Sequence, residues 1–219
     1  MKTKQITLAM GIAALMMSCN APAEKVESAF SEPKEEIKGL VQEVLTKEQQ
    51  DALTPDAVIT SFKEGNQRFT NNDLTARDHS AQVRNSTLSQ FPKAIVLSCV
   101  DSRVPVEDVF DRGIGDIFVA RVAGNFVNED ILGSMEFACK VSGSKVILVM
   151  GHEHCGAVKA AVDDVKLGNI TPMLAKIRPA VLSVDYEGDR TSKNEEFVHR
   201  ACESNVKNTM NEIRKQSPI

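Results

Sequence analysis

Two short segments hold the residues whose types and spacing could do chemistry. Ser98-Cys99-Val100-Asp101-Ser102-Arg103 offers a thiol, a carboxylate and a guanidinium, and Gly151-His152-Glu153-His154-Cys155-Gly156 offers imidazoles, a carboxylate and a second thiol. Cys99, His152 and Cys155 together supply two thiolates and one imidazole, a set suited to a tetrahedral zinc. Alone, His152-x-x-Cys155 reads more readily as a core histidine with a buried thiol. The separation of 53 residues between Cys99 and His152 (152 minus 99) is also far from zinc-finger spacing. Asp101 and Arg103 turn the reading toward catalysis. Positions i and i+2 on an extended exit from a strand point to one side, so carboxylate and guanidinium can meet beside the Cys99 sulfur. A structural zinc takes four permanent ligands and needs no such pair. A catalytic zinc takes three, keeps a fourth position open and depends on neighbouring groups to control what enters it.

Strands and helices must bring the two segments together. Lys93–Ser98, Asp116–Val122 and Lys145–Met150 are short continuous apolar runs of the kind that form strands buried on both faces. Thr54-Pro55-Asp56 has the cap, the first-turn proline and the acid of a helix start, after which Val58, Phe62 and Phe69 fall near one face. Ile131, Met135, Ala138 and Val141 keep helical spacing until Gly143 ends the segment. Ala157–Val165, Thr171–Val184 and Asn194–Lys215 are helix-like. The alternation predicts an α/β domain, a central mostly parallel β-sheet flanked by helices. In such sheets chemistry gathers at the carboxyl ends of the strands, where both segments lie.

The 219 residues, 42% of them hydrophobic, support one domain with a sizeable core plus a tail. With 26 Lys and Arg against 30 Asp and Glu, no basic excess exists to neutralise phosphates, which argues against a nucleic-acid partner. No apolar run is long enough to span a bilayer. Lys2 and Lys4 precede the apolar stretch Ile6–Met17, and Ser18-Cys19 follows, the parts of an export signal. A cysteine just after the cut resembles the lipobox of bacterial lipoproteins, whose thiol takes the lipid. Leu15 and Met16 depart from the usual pattern, which leaves a plain secretory signal as the alternative. The expected organisation is a lipoprotein-type signal peptide over 1–18 with Cys19 lipidated, a polar tether over 19–50 with a helical arm at Lys34–Leu45, and a catalytic domain over 51–219. The expected location is exported, periplasmic or membrane-anchored, with the lipid as the only membrane contact. An exported chain could oxidise Cys99, Cys139, Cys155 and Cys202 into two disulfides. The other ligand types beside Cys99 and Cys155 argue against that.

Residues 98–104, Ser-Cys-Val-Asp-Ser-Arg-Val, and 151–158, Gly-His-Glu-His-Cys-Gly-Ala-Val, resemble the two signature motifs of the β-class carbonic anhydrases. Gly65–Phe69, Phe118–Asn125 and Gly133–Ala138 match further segments in the same order, so the resemblance covers about residues 55–217. It implies one zinc per chain on Cys99, His152 and Cys155, a catalytic pair Asp101 and Arg103, and an Asp101 able to swing onto the metal as a fourth ligand. It implies substrate contacts from Gln90, Phe118, Phe137 and Gly156, and homodimers or homotetramers. The implied reaction is reversible hydration of carbon dioxide to bicarbonate and a proton by zinc-bound hydroxide. Three departures stand out. The chain stops at Ile219, before the C-terminal edge strand usual in the family. Val96 replaces the tryptophan of one subgroup's inhibitory bicarbonate pocket, and Phe137 replaces a frequent tyrosine.

The chemistry also follows from the residues. Zinc lowers the pKa of a bound water from 15.7 toward about 7. Two thiolates cancel the ion's formal charge and weaken that effect, so an ionised Asp101 is needed to accept the proton and aim the oxygen lone pair at carbon. His154 could assist proton export or be a solvated neighbour. The competing readings are hydrolysis of carbonyl sulfide or carbon disulfide on the same fold, a non-catalytic zinc-stabilised surface lipoprotein, and a disulfide-bonded binding domain.

Overall fold

A computed structural model describes residues 39–219. The signal segment, Cys19 and most of the expected tether lie outside the described residues. Residues 39–45, within the expected helical arm, carry a turn at Gly39 and a bridge at Val41 and no helix. Val41 pairs with the segment at Arg77, giving its carbonyl to the Asp78 N–H and its N–H to the Ala76 carbonyl, both at 3.0 Å. Helix α1 (Lys47–Ala52) then starts from a capping box in which Thr46 and Gln49 satisfy each other's backbone N–H groups. Its Gln50 is fully buried and donates to the carbonyls of Pro92 and Ser142 at 2.8 and 2.9 Å. The packed domain therefore reaches back to about residue 41, before the expected boundary at 51.

Helix α2 (Pro55–Thr70) starts at Thr54 as the sequence predicts and buries Val58 and Phe62, with Phe69 half-buried. Helix α3 (His79–Asn85) leads to strand β1 (Ala94–Ser98), followed by the short helix α4 (Val106–Val109) and strand β2 (Ile117–Arg121). Helix α5 (Glu129–Glu136) runs into a π-helical turn, Phe137–Val141, before strand β3 (Val146–Val149). Helices α6 (Gly156–Val162), α7 (Ile170–Leu182) and α8 (Glu195–Gln216) complete the described chain. All three strands are parallel, in the order β2-β1-β3.

Only β1, in the centre, is buried along its whole length; β2 and β3 are half-buried, with Arg121 and Ile147 exposed. Among the described residues each flanking strand has a partner on one side only, which the apolar runs could not reveal. Side chains of β1 alternate across the sheet. Ala94 and Val96 pack with Val58, Phe62, Val106 and Phe110, while Ile95 and Leu97 pack with Leu132, Met135 and Ile213. A third apolar cluster lies beyond the carboxyl ends of the strands, where Cys99 and Cys155 meet Phe126, Ile177, Phe197 and Cys202. A buried Asp111 ties α2 to the loop after it, accepting from Arg68 at 2.5 Å, Arg77 at 2.6 Å and the Thr75 hydroxyl at 2.7 Å.

Candidate metal centre

Parallel pairing of β1 with β3 aligns Leu97 with Val149, so the chain leaves both strands at the same end. Cys99 and His152 follow within three residues. Cys155 ends the second loop as the residue before α6. One ligand atom each from Cys99, His152 and Cys155 lies within 4.8 Å of the others, and the two sulfurs are 4.0 Å apart. Two sulfurs each about 2.3 Å from a tetrahedral ion stand about 3.8 Å apart, so the pair is spaced for one zinc. His152 Nδ1 lies 2.9 Å from the Glu153 carbonyl, which fixes the tautomer with the proton on Nδ1. Its Nε2 is buried, has no hydrogen-bond partner among the described residues, and is left as a lone pair facing the sulfurs. A buried acceptor without a donor is costly, and a cation at this point removes the cost. Burial pushes the Cys155 thiol up to about 11, which disfavours two free thiolates side by side. Zinc reverses that balance, because it binds the deprotonated form. The donor set fits zinc.

Asp101 stands next to this trio. Arg103 donates to both of its oxygens, Nε to Oδ1 at 2.9 Å and Nη2 to Oδ2 at 2.8 Å, and adds its own backbone N–H to Oδ1 at 3.0 Å. The Arg103 side chain, then its backbone N–H, hold the carboxyl well below the usual carboxylate range. Asp101 Oδ2 is 3.9 Å from His152 Nε2. Asp101 is outside the trio of converging ligand atoms: both its oxygens are engaged by Arg103, so the fourth-ligand position anticipated for it is not adopted here.

The anticipated substrate contacts divide. Gly156 opens α6 directly after Cys155, and a side chain added there would meet nothing within 4 Å, so it borders open space. Gln90, Phe118 and Phe137 are elsewhere. Gln90 is exposed in a shallow cavity with Leu88, Ile114 and Gly115, ahead of the amino end of β1, while Cys99 leaves the carboxyl end. Five strand residues intervene, about 17 Å at 3.3 Å each. Phe118 pairs with Ile95 near the start of the sheet. Its ring lies 6.3 Å from that of Phe137, and both line a cavity of ≈ 770 Å³ with Ile95, Ala120 and Ile131. One chain thus brings Phe118 and Phe137 to each other and not to the metal trio. His154 is exposed, with φ at 54°.

Three supporting residues went unassigned in the sequence. Arg121, at the end of β2, donates to the carbonyls of Cys99 and Asp101 and so holds both ends of the first motif. Gly124 donates its backbone N–H to Cys99 Sγ at 3.3 Å. It does so at φ +82°, where a Cβ would stand 2.4 Å from Ile177 Cδ1. Asn205 of α8 donates to the Gly124 carbonyl at 2.7 Å. Arg121 and Gly124 belong to the segment Phe118–Asn125 already matched by resemblance. Asn205 gave a weaker signal, a polar residue on the buried stripe of an amphipathic helix.

A family model described as carbonic anhydrase matches residues 94–219. Carbonic anhydrase 2 of Mycobacterium tuberculosis is 36% identical over 161 residues, covering 69% of this chain and 75% of that protein. The crystal structure of the β-carbonic anhydrase CafA of Aspergillus fumigatus is 25% identical, with a TM-score of 0.55, over 74% of this chain and 76% of that one. A carbon disulfide hydrolase of Acidithiobacillus thiooxidans is 34% identical over 74 residues, 32% of this chain and 36% of that enzyme.

Proposed function

The chain belongs to the β-class carbonic anhydrase family, and from that membership we propose how its own residues carry the zinc-dependent, reversible hydration of carbon dioxide to bicarbonate. Cys99, His152 and Cys155 hold the zinc. Bound there, the ion supplies Lewis acidity that brings a water's pKa toward neutrality. Asp101 is the proton acceptor. Ionised by its bidentate pairing with Arg103, it can take a hydrogen bond from the attacking water and aim a lone pair at carbon. Arg103 also keeps that carboxylate from competing for the metal. Gly156 leaves open space beside Cys155 on the substrate side of this proposal. The observation that carries this reading is the buried, unpartnered His152 Nε2 facing two cysteine sulfurs, with a paired carboxylate 3.9 Å away.

Gln90, Phe118 and Phe137 act on substrate in this proposal only through a second copy of the chain, because one copy keeps them at the far end of its sheet. Phe137 is 53% exposed beside Phe118, an apolar face available for such a contact. The proposal also includes export, with Cys19 as the lipid-bearing first residue of the mature chain. The order Lys2 and Lys4, Ile6–Met17, Ser18-Cys19 supports this.

Metal analysis of the purified protein beside a stopped-flow carbon dioxide hydration assay, with carbon disulfide as a parallel substrate, tests the reading. One zinc per chain and hydration activity are expected, with most zinc lost in Cys155→Ala. Full zinc retention in Cys155→Ala would overturn the ligand set, and turnover of carbon disulfide alone would favour the hydrolase reading.

A further inference from the structure

Asn205 is 1% exposed on α8. Its Nδ2 donates to the Gly124 carbonyl at 2.7 Å, and the N–H of that same glycine donates to Cys99 Sγ at 3.3 Å. The other end of the amide, Oδ1, has no hydrogen-bond partner among the described residues. A buried amide that satisfies only one of its ends is a costly choice for a core position. An apolar residue of the same size would bring no unpaired amide oxygen of its own, but it would strip the Gly124 carbonyl of its donor. What the amide adds is a grip on the Gly124–Asn125 peptide unit, the next one along from the N–H that faces Cys99.

That unit needs a grip. Gly124 at φ +82° and Asn125 at φ +41° are consecutive left-handed residues, a conformation that leans on its surroundings. In this turn the Asn125 N–H goes to the Val122 carbonyl at 2.9 Å, and the Gly124 N–H goes to the Cys99 sulfur. The same stretch of α8 backs the second metal-bearing loop. A Cβ on Gly151 would stand 2.8 Å from Val206 Cγ2, so that loop lies directly on the helix next to Asn205. Cys202, one turn earlier, is buried in the same cluster as Cys99 and Cys155.

We propose that Asn205 is a positioning residue for the metal centre: through Gly124 it keeps a backbone N–H aimed at the Cys99 thiolate, which sets how much charge that sulfur gives the zinc and how firmly the ion is held. The inference rests on Cys99 being a zinc ligand. A hydrogen bond to a ligating thiolate withdraws electron density from sulfur, and the partners of metal ligands typically contribute 10- to 100-fold to metal affinity or activity. Losing the grip loosens the peptide unit after Gly124, and through the Gly124 dihedrals the N–H that faces Cys99, without removing any ligand.

The test uses the full-length mature protein loaded with zinc, and in parallel with cobalt(II), whose thiolate charge-transfer absorption reports on the sulfur. Asn205→Leu keeps the volume and removes the donor, while Asn205→Ser and Asn205→Ala are both small and differ only in having a hydroxyl donor. Thr209→Val, one turn further on the same buried face, is the packing control. Asn205→Leu should lose zinc to a chelator roughly 10- to 100-fold faster and shift the cobalt charge-transfer band, with kcat falling more than KM rises. Thr209→Val should match the wild type in both readouts. If Asn205→Leu does not fold, the contrast between the Ser and Ala variants carries the test, Ser lying nearer the wild type. Unchanged chelation and an unmoved band in Asn205→Leu, or equal behaviour of Ser and Ala, would overturn the proposal. Absence of thiolate bands in the wild-type cobalt protein would instead overturn the ligand assignment on which it rests.

Discussion

Arg103 closes a two-pronged fork on Asp101, Nε to Oδ1 and Nη2 to Oδ2, with only one residue between them in the chain. A bidentate pair fixes the plane of the carboxylate as well as its charge. In Asp101→Asn the shape is kept and the anionic acceptor is lost. Zinc content should stay near one per chain while hydration falls about 10²-fold or more, the scale of a positioned proton acceptor. An unchanged rate would remove Asp101 from the mechanism.

Phe137→Glu places a charge on the exposed apolar face that Phe137 shares with Phe118. If a second copy supplies these rings to the metal centre, the variant should shift toward monomer in sedimentation and lose most activity, with zinc retained. A variant that is both monomeric and fully active would show that one chain suffices.

Acid stability should depend on Asp111. Burial alone would raise its pKa, but hydrogen bonds from Arg77, Thr75 and Arg68 outweigh burial and hold it well below the carboxylate range. A depressed native value contributes stability that is present above the unfolded value of about 3.9 and is lost as the pH falls below it toward the native one. Asp111→Asn leaves Arg77 facing a neutral partner in a buried site and should cost about 3–5 kcal/mol at pH 7. Urea unfolding of both proteins should show the gap narrowing below about pH 4. A gap independent of pH would mean that the charge contributes nothing.

Cys19→Ser tests the anchor. Wild type should sediment with membranes and resist high salt, while the variant should lose lipid labelling and the processed, membrane-held form. One acyl chain binds membranes marginally and several bind stably, so the lipid alone can account for retention. Full solubility of the wild type with residues 1–18 intact would refute both export and anchoring.

The metal trio was legible because its residue types are rare together and sit at strand exits, where a parallel sheet converts separations in sequence into proximity. Helices α2, α6, α7 and α8 were legible through caps and periodicity, within a few residues at their ends. What did not follow from the residues was the set of substrate contacts carried over by resemblance. Gln90 precedes β1 and Cys99 follows it, so the strand expected over Lys93–Ser98 already set them at opposite ends. The start of α1 was within reach, since Thr46-Lys47-Glu48-Gln49 has capping-box spacing. The π-helical turn at Phe137 leaves no comparable mark. Neither does the grip of Asn205 on Gly124, which joins residues 81 positions apart.

The order in which the chain is made has a bearing on the metal centre. Cys99 emerges from synthesis 56 residues before Cys155, and the helix that braces both loops is the last described element. A nascent chain carrying only the first motif holds one sulfur of the trio and neither of its other two ligands. The three ligands converge only after β3 has paired with β1, and Gly124 is gripped only after α8 has docked. Metal uptake is thus a closing event, which joins distant parts of the chain in the way a late cross-link would and rewards completion of the fold rather than its beginning.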